Sequence, residues 1–293
     1  MSTRRQRGSH VALRWALRHP RLGGGRLLRL DFPPSASSQP RFGHGKPPHP
    51  RILDLLSQHD DEYRVLLEHF AAEYAEQLRA IPTTESDPRE PHWRNPFLFG
   101  IDGASLYCFV RERAPHHYLE IGSGNSTLFV DRARRDGRLN TEVISIDPHP
   151  RREIDQVCDR VIRAPLETID LSVFSQLEAG DVVFIDGTHR VFTNSDAVVF
   201  FLDVLPDLPP GVLVGIHDIH LPDDYRPEHA SRYYSEQYLL ASYLLAEPEW
   251  MRPVLPCWYA SGHPELEVLA RSLLPGGLRS KGVIFWLETE PRS

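Results

Sequence analysis

The sequence predicts an α/β fold, a doubly wound, mostly parallel seven-stranded sheet with helices on both faces, preceded by an N-terminal helical extension. Three observations carry that prediction. From residue 103 to residue 287, short apolar runs of strand length alternate with stretches of helix length, the pattern of parallel strands joined by crossover helices. Several runs, 182–185 above all, lack polar alternation, as strands buried on both faces do. The chain of 293 residues, 41% hydrophobic and 25% charged, has the length and balance for one sizeable core plus an appendage.

The elements follow in order. Ile52, Leu55, Leu56, Val65, Leu66, Phe70, Tyr74 and Leu78 recur at helical spacing, closed by Pro82, and predict one or two helices. A Pro- and acid-rich link (82–91) leads to the aromatic loop Trp93-Arg94-Asn95-Pro96-Phe97. Residues 103–113 read as a helix entering the first strand. Strands are expected at 118–121, 142–147, 160–162, 182–186, 212–217, 252–255 and 282–287. Helices are expected near 127–135, 151–158, 171–177, 194–205 and 235–245. The resulting division is a basic, disordered arm (1–51), a helical extension and linker (52–92), and the main domain (93–293).

Charge is unevenly spread. Residues 1–51 hold eleven Lys and Arg against one acid, Asp31, whereas the remainder holds 22 basic and 39 acidic residues. An acidic main body argues against nucleic acid as the main substrate, because phosphate contacts need a basic face. The arm reads as a solvated tail, with a Pro/Gly/Ser-rich run over 31–50. Residues 11–18 are Arg-rich and acid-poor, like a transit peptide, without the apolar run of a secretory signal.

Cys108, Cys158 and Cys257 are widely spaced and odd in number, which fits core thiols in a reducing cytoplasm better than a disulfide framework or zinc site. No stretch reaches the roughly 18 apolar residues of a membrane span. Cytoplasmic localisation is the expectation.

Two motifs point to a nucleoside-type ligand. In Tyr118-Leu119-Glu120-Ile121-Gly122-Ser123-Gly124-Asn125-Ser126-Thr127 a strand runs through a Gly-x-Gly turn into a helix, where glycines permit a tight turn and close ligand approach. A nicotinamide dinucleotide fingerprint would carry a third glycine where Thr127 stands. Val143-Ile144-Ser145-Ile146-Asp147 is an apolar strand ending in an acid, placed to accept hydrogen bonds from both hydroxyls of a ribose.

With Phe184-Ile185-Asp186-Gly187-Thr188-His189 and Ile216-His217-Asp218-Ile219-His220-Leu221-Pro222, these motifs resemble class I S-adenosylmethionine-dependent methyltransferases, in particular a bacterial small-molecule-type group of undefined substrate. The resemblance spans about residues 93–245 and, more weakly, 281–287. It implies a Rossmann-like domain with S-adenosylmethionine as cofactor. Glu120, Gly122 and Gly124, with Asn125 and Ser126, would then border the methionine part. Asp147 would hold the ribose, and Asp186 would line the site. Glu120 suits a cationic sulfonium ligand carrying an ammonium and would suit a pyrophosphate poorly.

The chemistry is expected at the ends of the fourth and fifth strands, where Asp186, His189, His217, Asp218 and His220 gather at one crevice. In one reading His189, with Asp186, is the general base that removes a proton from an acceptor hydroxyl. In the other, Asp186, His217 and Asp218 hold a divalent metal (Mn, Mg or Fe) that orients the acceptor oxygen. By resemblance, His189 three residues after Asp186 matches the base of some sugar-modifying methyltransferases. His217 departs from the carboxylate usual in metal-binding relatives and favours Mn²⁺, Fe²⁺ or Zn²⁺ over Mg²⁺.

Asn194 or Ser195 reads as a helix cap, and 223–237 as a surface loop or a substrate lid acting through Tyr233, Tyr234 or Gln237. Trp93, Asn95 and Asp102 fall where related enzymes cover the cofactor. The leading expectation is methyl transfer to oxygen on a small-molecule acceptor. The alternatives are a nicotinamide-dependent oxidoreductase, disfavoured by Thr127 and by the lack of a Tyr-x-x-x-Lys pair, and a non-catalytic S-adenosylmethionine-binding protein.

Overall fold

The computed structural model describes residues 21–22, 25–26, 39–246 and 249–292. Two units are distinguished, 1–38 and 39–293. In the first, Arg21–Leu22 pairs antiparallel with Gly25–Arg26; the rest of the expected arm up to residue 38 lies outside the described residues. Everything below concerns the second unit.

That unit opens with residues 39–49, which the sequence reading assigned to a disordered arm and which instead form an ordered strap on the loop 222–224. The Arg41 and Phe42 backbone N–H groups donate to Asp224 Oδ2 at 2.6 and 3.3 Å, and His49 N–H donates to Pro222 O at 2.9 Å. The helical extension is two helices, α1 (Pro50–Ser57) and α2 (Asp60–Ala80). Helix α1 packs on α7 (Glu236–Leu245), and α2 packs on α3 (Ile101–Arg113) and α9 (Pro264–Ser272). Burial of Tyr63, Leu67, Phe70 and Leu78 makes the extension continuous with the main core, so no boundary at residue 92 separates them.

The sheet has seven strands, β1 (His117–Ile121), β2 (Glu142–Ile146), β3 (Arg160–Ile162), β4 (Val182–Ile185), β5 (Leu213–Ile216), β6 (Met251–Pro256) and β7 (Phe285–Thr289). Their order is β3-β2-β1-β4-β5-β7-β6, with β7 antiparallel to both neighbours and the β3-to-β5 block parallel. Every residue of β4 and β5 is buried. The order reverses beside β1, at the switch point where open α/β sheets bind ligands.

Register decides where the site falls. Ile121 pairs with Ile146 and Ile185, and Ile185 with Ile216. The next residues, Gly122, Asp147, Asp186 and His217, therefore share one row. The ladder continues into them, since Gly122 N–H donates to Ile146 O (3.0 Å), Asp186 N–H to Ile121 O (2.8 Å) and His217 N–H to Ile185 O (2.9 Å).

Helices differ more from expectation than strands. Helix α4 (Asn125–Gly137) follows the glycine turn as expected. Residues 151–158 form no helix but a turn, with Ile154 and Val157 buried beside Leu128 and Cys158 partly buried against them; so few apolar positions cannot hold a helix against solvent. Residues 171–176 are a 3₁₀ segment. The expected 194–205 helix is a short α turn, α5 (Asp196–Val199), followed by a π segment, Phe200–Val204. Ser195 caps it, accepting from Val198 N–H at 3.4 Å, while Asn194 takes a left-handed conformation. Two further short helices complete the unit, α6 (Pro227–Ala230) and α8 (Cys257–Gly262). All three cysteines are free, with Cys108 and Cys257 buried. Among the described residues, no helix is long and apolar enough to cross a membrane.

Candidate active site

A cavity of about 320 Å³ opens at the switch point, between the tips of β1, β2 and β4. Its floor is the glycine turn. Gly122 takes φ +81°, and a Cβ there would stand 2.1 Å from Asp186 O, so only glycine lets β1 and β4 close together at this point. Ser123 N–H donates to Asp147 Oδ2 (2.8 Å), and the Ser123 and Ser145 hydroxyls meet at 2.7 Å. His149 N–H donates to Asp147 Oδ1 at 2.7 Å. Both Asp147 oxygens are thus fixed by backbone N–H groups, each with accepting capacity left, and Asp147 lines the cavity.

The other turn residues divide by position. Gly124, Asn125 and Ser126 line a small recess next to the cavity, with Phe97, Leu98 and Arg151. Glu120 does not line it. It lies fully buried under the turn, where Thr127 Oγ1 donates to Glu120 Oε2 and accepts from Gly124 N–H at 3.0 Å. Burial pushes Glu120 up to about 8, against hydrogen bonds from Ser126 and Thr127. Its observed contact is with the turn that would carry a ligand.

At the β4 and β5 tips four side chains converge. His189 Nε2 lies 3.1 Å from Asp186 Oδ1 and 3.4 Å from Asp218 Oδ2, while His217 Nδ1 lies 3.3 Å from Asp186 Oδ1 and 3.8 Å from Asp218 Oδ1. His189 and Asp218 both take left-handed backbone conformations, at φ +62° and +56°, a strain that clusters at functional sites. Burial alone would raise Asp186, yet His217 and His189 hold it well below the usual carboxylate range. Burial opposes protonation of His217, but Asp186 and Asp218 bring it up to about 9. For His189 the same contest, with Glu236 the leading partner, ends well above the ordinary imidazole value.

Each histidine has a second, buried carboxylate behind it. Glu236, in the first turn of α7, places Oε1 2.5 Å from His189 Nδ1. Asp102, in the first turn of α3, lies 3.9 Å from His217 Nε2. It accepts backbone N–H bonds from Val283 (2.8 Å to Oδ1, 2.9 Å to Oδ2) and Ile284 (2.8 Å). Burial pushes Asp102 up to about 7, against His217 and those N–H groups. The sequence alone gives no sign of Glu236 and places Asp102 only among residues where related enzymes cover the cofactor. Neither carries a local motif; each is an acid in a helix's first turn, a signal shared by many solvated residues.

Asp186, His217 and Asp218 offer ligand atoms all within 4.8 Å of one another. Neither ring nitrogen of His217 is engaged in a hydrogen bond, although the side chain is buried. The open Nδ1, facing Asp186 and Asp218, with those two carboxylates makes a donor set that suits a divalent cation.

His220 stands apart. Its ring packs against Trp258 (4.7 Å), His229 (5.0 Å) and Tyr225 (5.5 Å), and burial drives it well below the ordinary imidazole range. In the 223–237 segment, Tyr234 lies against His189 at 4.5 Å between ring centroids. Tyr233 is exposed. Gln237 is a buried clasp, accepting from His220 N–H at 3.0 Å and donating to Asp223 O at 3.3 Å.

Residues 119–219, the span that holds the glycine turn, Asp147, Asp186, His189, His217 and Asp218, match the family model of a methyltransferase domain. Over that span the chain is similar to a methyltransferase domain. Solved structures similar to it include the O-methyltransferase from Bacillus cereus in complex with S-adenosylhomocysteine, at 18% identity over 83% of this chain and 96% of that one, with a TM-score of 0.40. A putative O-methyltransferase from Klebsiella pneumoniae matches at 14% identity over 84% and 92%, TM-score 0.39. The O-methyltransferase TomG from Streptomyces achromogenes, involved in tomaymycin synthesis and solved with S-adenosylmethionine, matches at 14% identity over 64% and 79%, TM-score 0.39. No curated protein matches the chain. Within the matched span the cavity lies over the glycine turn, and the Asp–His cluster borders it through Asp186, which lines both cavity and recess.

Proposed function

We propose that the methyltransferase domain transfers the methyl group of S-adenosylmethionine to an oxygen nucleophile on a small molecule, with a divalent metal ion beside the acceptor. The observation that carries this reading is the meeting of Asp186, His189, His217 and Asp218 at the edge of the cavity. The cofactor supplies an electrophilic methyl group on sulfur. Asp147 accepts from the ribose hydroxyls, while Gly122, Gly124, Asn125 and Ser126 receive the amino-acid end. Glu120 supports them from beneath by fixing Thr127 and, through it, Gly124 N–H.

Asp186, His217 and Asp218 fit a metal, and an ion there would polarise an acceptor hydroxyl and lower its pKa. An imidazole in the donor set favours Mn²⁺ or Fe²⁺ over Mg²⁺. Asp186, Asp218 and Glu236 face His189, and Asp186 and Asp218 also face His217; a cation on Asp186 and Asp218 would take over part of the charge balance that the two imidazoles supply. A cation on Asp186 and Asp218 would remove part of the charge that holds His189 protonated, and the neutral imidazole, oriented by Glu236, would then take the acceptor proton at Nε2. Alignment of acceptor and methyl group supplies most of the acceleration. The acidic balance of residues 52–293 supports a small molecule over a nucleic acid as acceptor.

The test is incubation with labelled S-adenosylmethionine and a panel of hydroxyl, thiol and amine acceptors, with Mn²⁺, Mg²⁺ or a chelator. Methyl ethers formed in a Mn²⁺-dependent manner support the proposal. Turnover indifferent to chelation removes the metal, and methylation confined to nitrogen or sulfur removes the oxygen acceptor.

A further inference from the structure

The ligand cavity is acid-lined. Asp147, Glu167, Asp186 and Asp196 all face it or its rim. Among the described residues lining the cavity and the adjoining recess, Arg151 is the one Lys or Arg. It stands against the glycine turn, its Cβ 3.9 Å from where a Cβ on Gly124 would be. From there the side chain crosses to the recess, with the guanidinium 4.8 Å over the Phe97 ring. Asn95 sets that ring in place, its Oδ1 accepting from Phe97 N–H at 3.1 Å and Leu98 N–H at 2.6 Å.

The guanidinium is loosely held. Its ion-pair partner is Asp186 Oδ2 at 3.7 Å, beyond hydrogen-bond length, and the side chain is 53% exposed. The amino-acid end of S-adenosylmethionine carries a carboxylate that must settle near the glycine turn, close to Asp186 and Asp147. A carboxylate brought among carboxylates needs a cation, and the planar guanidinium fork takes one through two parallel N–H bonds. We propose that Arg151 is the residue that binds the carboxylate of the cofactor's methionine moiety, exchanging its long contact with Asp186 for that carboxylate while Phe97 backs the guanidinium. The assignment rests on the S-adenosylmethionine reading.

Calorimetric titration of wild type, Arg151→Ala and Arg151→Lys with S-adenosylhomocysteine and with 5′-methylthioadenosine tests it, because the second ligand keeps the nucleoside thioether and lacks the amino-acid end. Arg151→Ala is expected to weaken S-adenosylhomocysteine about 10- to 100-fold, the loss of a charge-assisted pair. The affinity for 5′-methylthioadenosine should stay within about twofold, and Arg151→Lys should fall between. An unchanged affinity for S-adenosylhomocysteine, or an equal loss for both ligands, overturns the assignment. Failure of wild type to bind either ligand overturns the cofactor reading first, and the assignment with it.

Discussion

Glu236 Oε1 lies 2.5 Å from His189 Nδ1, with both side chains closed off from solvent. The contact fixes the imidazole so that Nε2, the nitrogen left for chemistry, faces Asp186 and Asp218. A carboxylate behind a histidine sets its tautomer and orientation. Glu236→Gln should therefore lower kcat about 10- to 100-fold with little change in the acceptor KM. Steady-state kinetics, with thermal unfolding as the check on folding, measures this. A kcat equal to wild type would remove Glu236 from the mechanism.

Metal binding should depend on two layers of residues. Asp218→Asn or His217→Ala removes a ligand and is expected to abolish Mn²⁺ binding in the micromolar range, followed by the electron paramagnetic resonance of free Mn²⁺. Asp102→Asn leaves the three ligands in place and removes the charge facing His217 Nε2 at 3.9 Å. Its Mn²⁺ affinity should fall about 10- to 100-fold. Equal Mn²⁺ binding by wild type and Asp218→Asn would contradict the metal site.

Gly122 carries the closest backbone approach in the site. Gly122→Ala puts a methyl group 2.1 Å from Asp186 O at a φ of +81°, combining a clash with a left-handed conformation. Stability should drop by about 3 kcal/mol or more, read by urea unfolding. A loss under about 1 kcal/mol would mean that the β1 and β4 tips part easily.

Burial raises Glu120 from 4.5 to about 8 on folding. The folded state then holds a proton that the unfolded state releases, so this residue's contribution is fully present below about 4.5 and is lost as pH rises through about 8. Glu120→Gln cannot lose that proton. The stability of the variant relative to wild type should climb between pH 5 and pH 8, by at most about 4 kcal/mol. Paired urea titrations at both pH values decide it, and a difference independent of pH would show that Glu120 titrates like an exposed glutamate.

Strand positions were legible because fully buried strands leave an apolar run that needs no partner to be read, as at Val182–Ile185. The exception is instructive. The expected strand at 282–287 begins only at Phe285, because the Val283 and Ile284 N–H groups bond to the Asp102 carboxylate instead of a neighbouring strand. Asp102 sits 181 residues from Val283, and no local pattern records such a pairing. Glu236 was hidden for the same reason, 47 residues from His189. The placement of Asp147, Asp186, His217 and Asp218 was legible because strand ends lie at predictable places and the sheet order brings them together. Residues 151–158 misled because apolar residues at helical spacing do not fix a helix without a surface broad enough to bury them. The strap at 39–49 misled because its Pro- and Gly-rich composition hides specific backbone bonds to Asp224 and Pro222.

Calorimetric titration with S-adenosylhomocysteine and, separately, NADH tests the cofactor proposed for the β1–β4 switch point. Wild type is expected to bind the former alone, with Asp147→Ala weakening it about tenfold or more. Binding of NADH alone, or S-adenosylhomocysteine binding indifferent to Asp147→Ala, would contradict it.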